Sequence, residues 1–219
     1  DMEMDPVQGY AFTSWEKGYG DVLCKVDWAT LRRASWLDRS AIVVCDVFDE
    51  RSGEPVAVAP RTILRRQLAR ARDLGFLALG ASELEFFAFR ESYASASAKG
   101  YQGLTTFGEY VEDYHILQGT KTEPLVGAIR RNLEASGIPV EFSKGEAGRG
   151  QHEINLDYTT AVEMADRNSI YKTAAKEIAA QQGHSLTFMA KWNAAMAGSS
   201  LHVHMSLWND RDQPVFAPT

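Results

Sequence analysis

The strongest constraint on the fold is a period of two in three short segments, which alternate polar or charged residues with apolar ones. Glu83 and Glu85 fall on one side of the first segment, because successive side chains of a strand point to opposite faces. His202 and His204 share one side of the last segment, and its other side is wholly apolar. The sequence therefore predicts strands with one charged face and one apolar face.

The middle segment starts at Gln151 and follows the same rule. Ile154 and Leu156 lie on its apolar side, and His152 falls on the same side. An antiparallel strand with one solvated face shows this alternation without any function, so each segment alone indicates only a half-buried strand. The polar side of the middle segment consists of Gln151, Glu153, Asn155 and Asp157.

The rest of the chain reads as a mixture of helices and strands. Pro60 before residues 61–73 and Gly75 after them are typical of a helix. The order of elements predicts an α+β fold with a largely antiparallel sheet, divided into a β-rich domain, 1–59, and a second domain, 60–219. Strands are predicted at 21–27, 41–48, within 76–90, 138–143, 151–158, 185–190 and 200–208, helices at 61–73, 122–136 and 160–182, and a mobile loop at 92–100.

Composition places the chain among globular proteins and limits its partners. Hydrophobic residues make up 45% and charged residues 24% of the 219 positions, which excludes a disordered or low-complexity chain. The 29 acidic and 23 basic residues give a formal net charge of −6. This charge argues against nucleic acid or an anionic membrane surface as the main partner.

Cysteine usage and the lack of targeting signals predict a cytoplasmic protein. Cys24 and Cys45 each lie in an apolar run and are expected to be buried and reduced. No apolar run is long enough to span a membrane, and the first residues lack the basic start and apolar core of a signal peptide. Because position 1 is Asp rather than Met, we expect a processed or truncated piece.

Carboxylates and one imidazole recur at positions that the predicted sheet can bring together. Such oxygen-rich groups suit hard cations, Mg²⁺ or Mn²⁺, better than zinc. Several carboxylates on one face repel each other unless cations lie between them, and more than one cation indicates phosphoryl transfer. The candidate ligands are Glu83, Glu85, Glu146, Glu153 and His202.

Four motifs, in this order and spacing, resemble those of the glutamine synthetase family, either its bacterial type I branch or a paralogous branch of γ-glutamyl-amine ligases. The resemblance runs from about Gly18 to Leu207. It implies a small β-grasp-like N-terminal domain, followed by the N-terminal part of the family's catalytic domain. The motifs are Glu83-Leu84-Glu85-Phe86-Phe87, Ile138-Pro139-Val140-Glu141 with Ser143-Lys144-Gly145-Glu146, Gly150-Gln151-His152-Glu153-Ile154-Asn155, and Gly198-Ser199-Ser200-Leu201-His202-Val203-His204-Met205-Ser206-Leu207.

The resemblance also implies roles for individual residues around two divalent cations. Glutamate, ATP and an amine are the implied substrates, and the full protein is implied to form a ring-type homo-oligomer, a dodecamer. ATP would phosphorylate the γ-carboxylate of glutamate, and the amine would then displace phosphate. The matched residues are Glu85, Glu146 and Glu153 at the first cation, Glu83 and His202 at the second, Glu85 and Gly198 at glutamate, and Glu141, Tyr158, His204 and Ser206 at the nucleotide.

Two departures from the family pattern bear on the substrate. Members that select ammonia carry an aspartate in an Asp-Gly-Ser-Ser stretch, whereas the corresponding residues here are Phe12-Thr13-Ser14-Trp15. Ala197 replaces the usual asparagine before the histidine pair. An ammonium site without its carboxylate binds the cation less well. We therefore expect a larger amine, such as a polyamine, an alkylamine or ethanolamine.

The second domain of the family continues well beyond the length of this chain, which ends at Thr219. The implied arginines and the flap that shields the intermediate would lie beyond that point, and this chain alone is expected to be inactive. The alternative function is therefore a non-catalytic or truncated relative that serves as a binding or scaffold protein. The intact candidate cation ligands favour the enzyme over this alternative.

Overall fold

The N-terminal part of the chain forms two small antiparallel sheets. The computed structural model describes residues 8–10, 12, 14–18 and 20–216. Short 3₁₀ turns lie at Trp15–Lys17 and Trp28–Thr30. Strand β1 (Val22–Val26) pairs with β4 (Cys45–Asp49), and β2 (Arg32–Arg33) pairs with β3 (Ala41–Ile42).

The single strand predicted at 41–48 is therefore wrong, because the chain changes partner in its middle. The backbone N–H of Val44 donates to the Thr30 hydroxyl at 2.8 Å, and the Val44 carbonyl accepts from Asp27. These bonds to the 3₁₀ turn replace sheet pairing at this position, so the segment divides into β3 and β4.

The main sheet is built around one long strand, β5 (Leu77–Phe89). On one side β5 pairs with β7 (Gln151–Thr160), which in turn pairs with β6 (Val140–Gly145). On the other side it pairs with β9 (Leu201–Trp208) and then with β8 (Ser185–Thr187). Every one of these ladders is antiparallel, which confirms the predicted α+β fold with a largely antiparallel sheet.

Two long helices cover one face of this sheet and form the core with it. They are α3 (Ile116–Ala135) and α4 (Ala161–Gln181). The fully buried Tyr171 of α4 donates its hydroxyl to the Leu84 carbonyl at 3.3 Å. The core therefore lies on one side of the sheet and leaves the other side free for polar groups. The core residues of the sheet include Leu84, Phe86, Ile154 and Leu156.

Helix α3 begins six residues before Thr122, which the sequence suggests as its cap. Pro124, expected in the first turn, lies inside the helix, and Thr122 bonds back to the Gly119 carbonyl at 3.1 Å. An interior proline costs about 3 kcal/mol because it removes one helical hydrogen bond. The additional N-terminal turns of α3 bury Gln118 and Thr122. Packing thus outweighs the local signal.

Two further segments differ from their predictions. The loop predicted at 92–100 contains a short helix, α2 (Tyr93–Ala98), whose first turn is capped by Ser92 accepting from the Ser95 N–H at 3.2 Å. The strand predicted at 185–190 ends at Thr187. Alanine and a serine cap favour a helical turn, a signal that the small-residue composition of the segment concealed.

The two thiols are less buried than their apolar neighbours suggest. Cys24 is exposed and Cys45 is partly exposed, and both are free. Cys24 is exposed because all five residues of β1 are exposed, so the described part of the chain covers neither face of this strand, and Cys45 lies in β4, whose five residues are all partly exposed. No helix among the described residues is long and apolar enough to cross a membrane.

An arginine whose side chain is 13% exposed joins the N-terminal sheets to the rest of the protein. Arg61, near the start of α1 (Pro60–Asp73), contacts Asp27 at 2.7 Å and Asp46 at 2.6 Å in the N-terminal part. It also contacts Asp166 of α4 at 2.9 Å. One guanidinium therefore contacts three carboxylates from three parts of the chain, and Arg65 also contacts two of them, Asp27 and Asp46.

Replacing this guanidinium should destabilise the protein. In Arg61→Met the buried Asp166 loses its ion pair with Arg61, while Asp27 and Asp46 keep only their contacts with Arg65, at 2.7 Å and 3.5 Å. We expect a loss of about 3 kcal/mol in the free energy of unfolding. Urea unfolding at neutral pH measures it. The exposed Arg66 of the same helix provides the control, since Arg66→Met should change stability by less than about 0.5 kcal/mol.

The effect of Arg61→Met should also depend on pH. A hydrogen bond from Arg61 holds the pKa of Asp27 below its usual value of 3.8. A lowered folded pKa contributes stability that is present above the unfolded pKa and is lost as the pH falls through the folded value. The stability difference between wild type and variant should therefore shrink below about pH 4. An undiminished difference at acidic pH would show that Arg61 acts through packing alone.

Candidate metal and substrate site

The face of the sheet opposite the core carries the predicted acidic residues. Glu85 of β5 is paired with Glu153 of β7, and Glu83 is paired with both Asn155 of β7 and His202 of β9. Antiparallel pairing places the side chains of opposite residues on the same face. The register therefore gathers the three predicted strand motifs into one cluster.

Two groups of ligand atoms in this cluster are close enough to hold cations. Within each group the ligand atoms lie within 4.8 Å of one another, and Glu153 belongs to both groups. Carboxylates with one imidazole are a donor set that fits Mg²⁺ or Mn²⁺. The first group is Glu85, Glu146 and Glu153, and the second is Glu83, Glu153 and His202.

Electrostatics at the shared carboxylate favour a bound cation. Glu153 is only 6% exposed. Burial raises its pKa, and the nearby charges of Glu146, Glu83 and Glu85 raise it further. The repulsion that raises this pKa is relieved when a divalent cation lies between the carboxylates.

Both histidines of β9 contact the same carboxylate. The His202 Nδ1 lies 3.1 Å from Glu83 Oε2, and the His204 Nε2 lies 3.0 Å from Glu83 Oε1. The side chains of both histidines are more than half exposed, whereas the Glu83 side chain is 30% exposed. His204 therefore contacts Glu83, a member of the second group of ligands, although it does not belong to that group itself.

The predicted nucleotide residues fall into two places. Tyr158, His204 and Ser206 line one shallow pocket beside β5 and β9. Glu141 instead lines an open groove between α3 and β6, together with Arg130 and Phe142. The described residues thus bring three of the four together and leave Glu141 apart from them.

The predicted substrate residues Glu85 and Gly198 are joined through Gln151, for which the sequence predicts no individual role. The Gln151 side-chain amide donates to Glu85 Oε2 at 2.8 Å and to the Gly198 carbonyl at 2.8 Å. The Ser200 backbone N–H also donates to Glu85 Oε2, at 3.1 Å. Two signals were available for Gln151: strand parity put it on the polar face, and it lies in the third of the four motifs.

Lys144 is a second residue without a predicted role. Its ammonium lies 2.8 Å from Glu146 and 3.2 Å from Asp113, and 4.7 Å from the centre of the Tyr114 ring. Burial disfavours the charged form of Lys144, but the hydrogen bonds to these two carboxylates outweigh it and raise its pKa above 10.5. Lys144 therefore stays charged and orients Glu146.

Behind the site, a buried acid anchors the irregular segment that precedes α3. Glu112 accepts from the Gly150 N–H at 3.0 Å, and its other oxygen lies 3.1 Å from His152 Nε2. Gly145 is necessary here, because a Cβ on it would lie 2.5 Å from the Glu112 Cβ. Nothing in the sequence indicated Glu112, since no periodic pattern covers this segment.

Burial shifts both groups of this pair toward their neutral forms. It raises the pKa of Glu112 to about 7, against a smaller opposite effect of the Gly150 hydrogen bond. It also lowers the pKa of His152 to about 4. At neutral pH the imidazole is therefore uncharged.

The family model "Glutamine synthetase, catalytic domain" matches residues 57–219, which contain both groups of ligand atoms. The chain belongs to the glutamine synthetase family. The resemblance inferred from the four motifs is confirmed.

Curated members of the family include ligases for larger amines. The chain is 47% identical over 94% of its length to gamma-glutamylethanolamide synthetase GlnA4 of Streptomyces coelicolor, and it covers 44% of that protein. It is 37% identical over 96% of its length to glutamate–isopropylamine ligase of a Pseudomonas species, covering 46% of it. The chain thus spans about half the length of the curated relatives it matches.

Solved structures support the same fold. The solved structure titled "Apo GmaS without ligand" matches this chain with a TM-score of 0.81 and 25% sequence identity. The match covers 95% of this chain and 48% of the other. The helix-covered antiparallel sheet described above is therefore a shared architecture.

The buried Glu112 should make stability depend on pH. A folded pKa of about 7, above the usual 4.5, contributes stability that is present at low pH and is lost as the pH rises through 7. Glu112→Gln keeps the acceptor for Gly150 but cannot ionise. As the pH rises from 5 to 8, we expect the free energy of unfolding of this variant to increase by about 2 kcal/mol relative to that of the wild type.

Thermal unfolding across this pH range measures the gain. The comparison stays above pH 5, where His152, with a pKa of about 4, is uncharged and does not titrate. Glu109→Gln, an exposed acid on the same segment, should show no such gain. Parallel pH curves for wild type and Glu112→Gln would mean that Glu112 is ionised throughout.

Proposed function

We propose that this chain is the N-terminal portion of an ATP-dependent ligase that joins the γ-carboxylate of glutamate to an amine through γ-glutamyl phosphate. The observation that carries the proposal is the pair of ligand groups sharing Glu153, beside Gly198 and on the face of the sheet away from the core. Two cations held close together suit phosphoryl transfer.

The residues of the cluster fit divalent cations and, in this proposal, hold them. Glu85, Glu146 and Glu153 hold the first cation, and Glu83, Glu153 and His202 hold the second. Bound Mg²⁺ or Mn²⁺ would neutralise the charge on the transferring phosphoryl group. Lys144 keeps Glu146 oriented toward the cluster.

The substrates occupy the two sides of this cluster. Glutamate lies near Glu85 and Gly198, which Gln151 holds together. ATP lies over Tyr158, His204 and Ser206, whose shared pocket supports a common ligand. Glu141 belongs to the nucleotide side by resemblance alone.

The amine is larger than ammonia in the preferred form of this proposal. The printed names of two relatives, an ethanolamide synthetase and an isopropylamine ligase, support it, as does Ala197 in place of asparagine. The departure at Phe12–Trp15 includes Thr13, which lies outside the described residues. Ammonia remains the second candidate, since a relative 34% identical is named glutamine synthetase.

The organisation of the whole protein is part of the proposal. Residues 1–59 form a β-grasp-like domain, and residues 60–219 begin the catalytic domain. The exposed apolar residues Val22 and Leu23 of β1 support a ring-type homo-oligomer, a dodecamer, in which another copy covers this strand. The free thiols of Cys24 and Cys45 support a cytoplasmic location.

The alternative of a non-catalytic binding or scaffold protein is not favoured. All five candidate cation ligands are present, and the described structure brings them together. A scaffold has no need to keep several carboxylates close together on one face, because their repulsion destabilises the fold.

Phosphate release from ATP tests the proposed reaction. It is measured with glutamate, Mg²⁺ or Mn²⁺ and a panel of amines including ammonia, on this chain and on a longer protein continued to the length of its relatives. We expect release from the longer protein with a larger amine and little with ammonia. Equal or faster release with ammonia would make it an ordinary glutamine synthetase, and no release with any amine would favour the scaffold.

Loss of the shared carboxylate should weaken both cation sites. Glu153→Gln should reduce Mn²⁺ affinity at least about tenfold at each site, whereas Glu83→Gln should affect only the second. Titration of Mn²⁺ followed by electron paramagnetic resonance separates the two cases. Glu54→Gln, an exposed acid in the N-terminal part, is the control. Unchanged binding by Glu153→Gln would remove Glu153 from both sites.

A further inference from the structure

The side chain of Gln151 is the most highly connected buried polar group near the cluster. It is 1% exposed and makes hydrogen bonds to four different residues. Its partners come from β5, from the turn before β7 and from the segment before β9. They are Glu85, Gly148, Gly198 and Ser199.

The orientation of the Gln151 carboxamide is fixed by the turn. The Gly148 N–H donates to Gln151 Oε1 at 2.9 Å, so the NH₂ group must point toward the acceptors on the other side. Gly148 permits this close approach, because a Cβ there would lie 2.4 Å from the Phe87 ring and 2.7 Å from Gln151 Oε1. The amide therefore cannot exchange its oxygen and nitrogen without losing hydrogen bonds at both ends.

The NH₂ group of Gln151 donates a hydrogen bond to one particular oxygen of Glu85. Gln151 donates to Oε2 at 2.8 Å, and the Ser200 N–H donates to the same Oε2 at 3.1 Å. Two donors thus engage Oε2 and leave Oε1 of Glu85 available to a cation. The second proton of the NH₂ group is directed to the Gly198 carbonyl, also at 2.8 Å.

We propose that Gln151 is a positioning residue that couples the first cation site to the glutamate site. The proposal rests on the proposed function, since it takes Glu85 as a cation ligand and Gly198 as a contact of glutamate. A shift of the Glu85 carboxylate on cation binding is transmitted through one NH₂ group to the Gly198 carbonyl. Cation and glutamate therefore strengthen each other's binding, and this coupling is reciprocal.

The test replaces Gln151 by an isosteric residue without donors. Gln151→Met keeps the length of the side chain and adds no charge. Its control is Gln181→Met, which removes a bond of the same kind, from a glutamine amide to the Trp36 carbonyl at 2.8 Å, away from the site. Both variants are made in the longer protein, and Mn²⁺ affinity is measured by electron paramagnetic resonance with and without glutamate.

We expect Gln151→Met to bind Mn²⁺ about 10- to 100-fold more weakly at the first site, as other losses of ligand-orienting groups do. The increase in Mn²⁺ affinity that glutamate causes should also be smaller. The KM for glutamate should rise, while the KM for ATP stays the same. Gln181→Met should keep wild-type values of all these quantities, even where its thermal stability falls. These readouts separate a positioning role from a merely structural one.

Three results would overturn the inference. The first is a folded Gln151→Met with unchanged Mn²⁺ affinity and unchanged coupling to glutamate. The second is an equal rise in the KM for glutamate and for ATP, which indicates a general disturbance. The third is loss of cooperative unfolding in both Gln151→Met and Gln151→Glu, which keeps the bond to Gly148, while Gln181→Met folds.

Failure of the proposed function is recognised before any variant is compared. In that case the wild-type longer protein itself binds no Mn²⁺, or releases no phosphate from ATP with glutamate and any amine. A wild type that is active but binds Mn²⁺ without any response to glutamate overturns the coupling instead. A wild type that binds and responds, together with a variant that does so equally well, rejects the role of Gln151 alone.

Discussion

Strand β5 has to satisfy two opposite requirements, and the rest of the structure depends on how it does so. Its even-numbered residues Leu84 and Phe86 are buried against the helices, while Glu83 and Glu85 project from the other face. Such a strand needs neighbours on both edges to pair its backbone. Pairing with β7 and β9 provides them and brings further acids and histidines to the charged face.

The charged face is then governed by repulsion between like charges. Glu85 and Glu153 are both buried and lie opposite each other in the register. Fixed donors moderate this repulsion: Gln151 and the Ser200 N–H on Glu85, and Lys144 on Glu146. The donors satisfy part of each carboxylate, and the remaining oxygens converge within 4.8 Å of one another. Such an arrangement fits divalent cations.

Strand alternation made much of this face predictable from the sequence. It assigned Glu83, Glu85 and Glu153 to charged faces and His152 to the core side, and the register agrees. Predictions failed where packing outweighed a local signal, as at Pro124 inside α3. Glu112 and the role of Lys144 were not predictable, because they depend on an irregular segment that no periodic pattern describes.

We propose that two divalent cations share one carboxylate, that of Glu153, on this face. Crystals of the longer protein, grown with Mn²⁺ and measured at the manganese absorption edge, test it most directly. Two anomalous peaks on the charged face, one on each side of Glu153, are the expected result. A single peak that Glu153 does not contact, or no peak at saturating Mn²⁺, would contradict the account. The residues bounding the two peaks should be Glu85, Glu146 and Glu153 for one, and Glu83, Glu153 and His202 for the other.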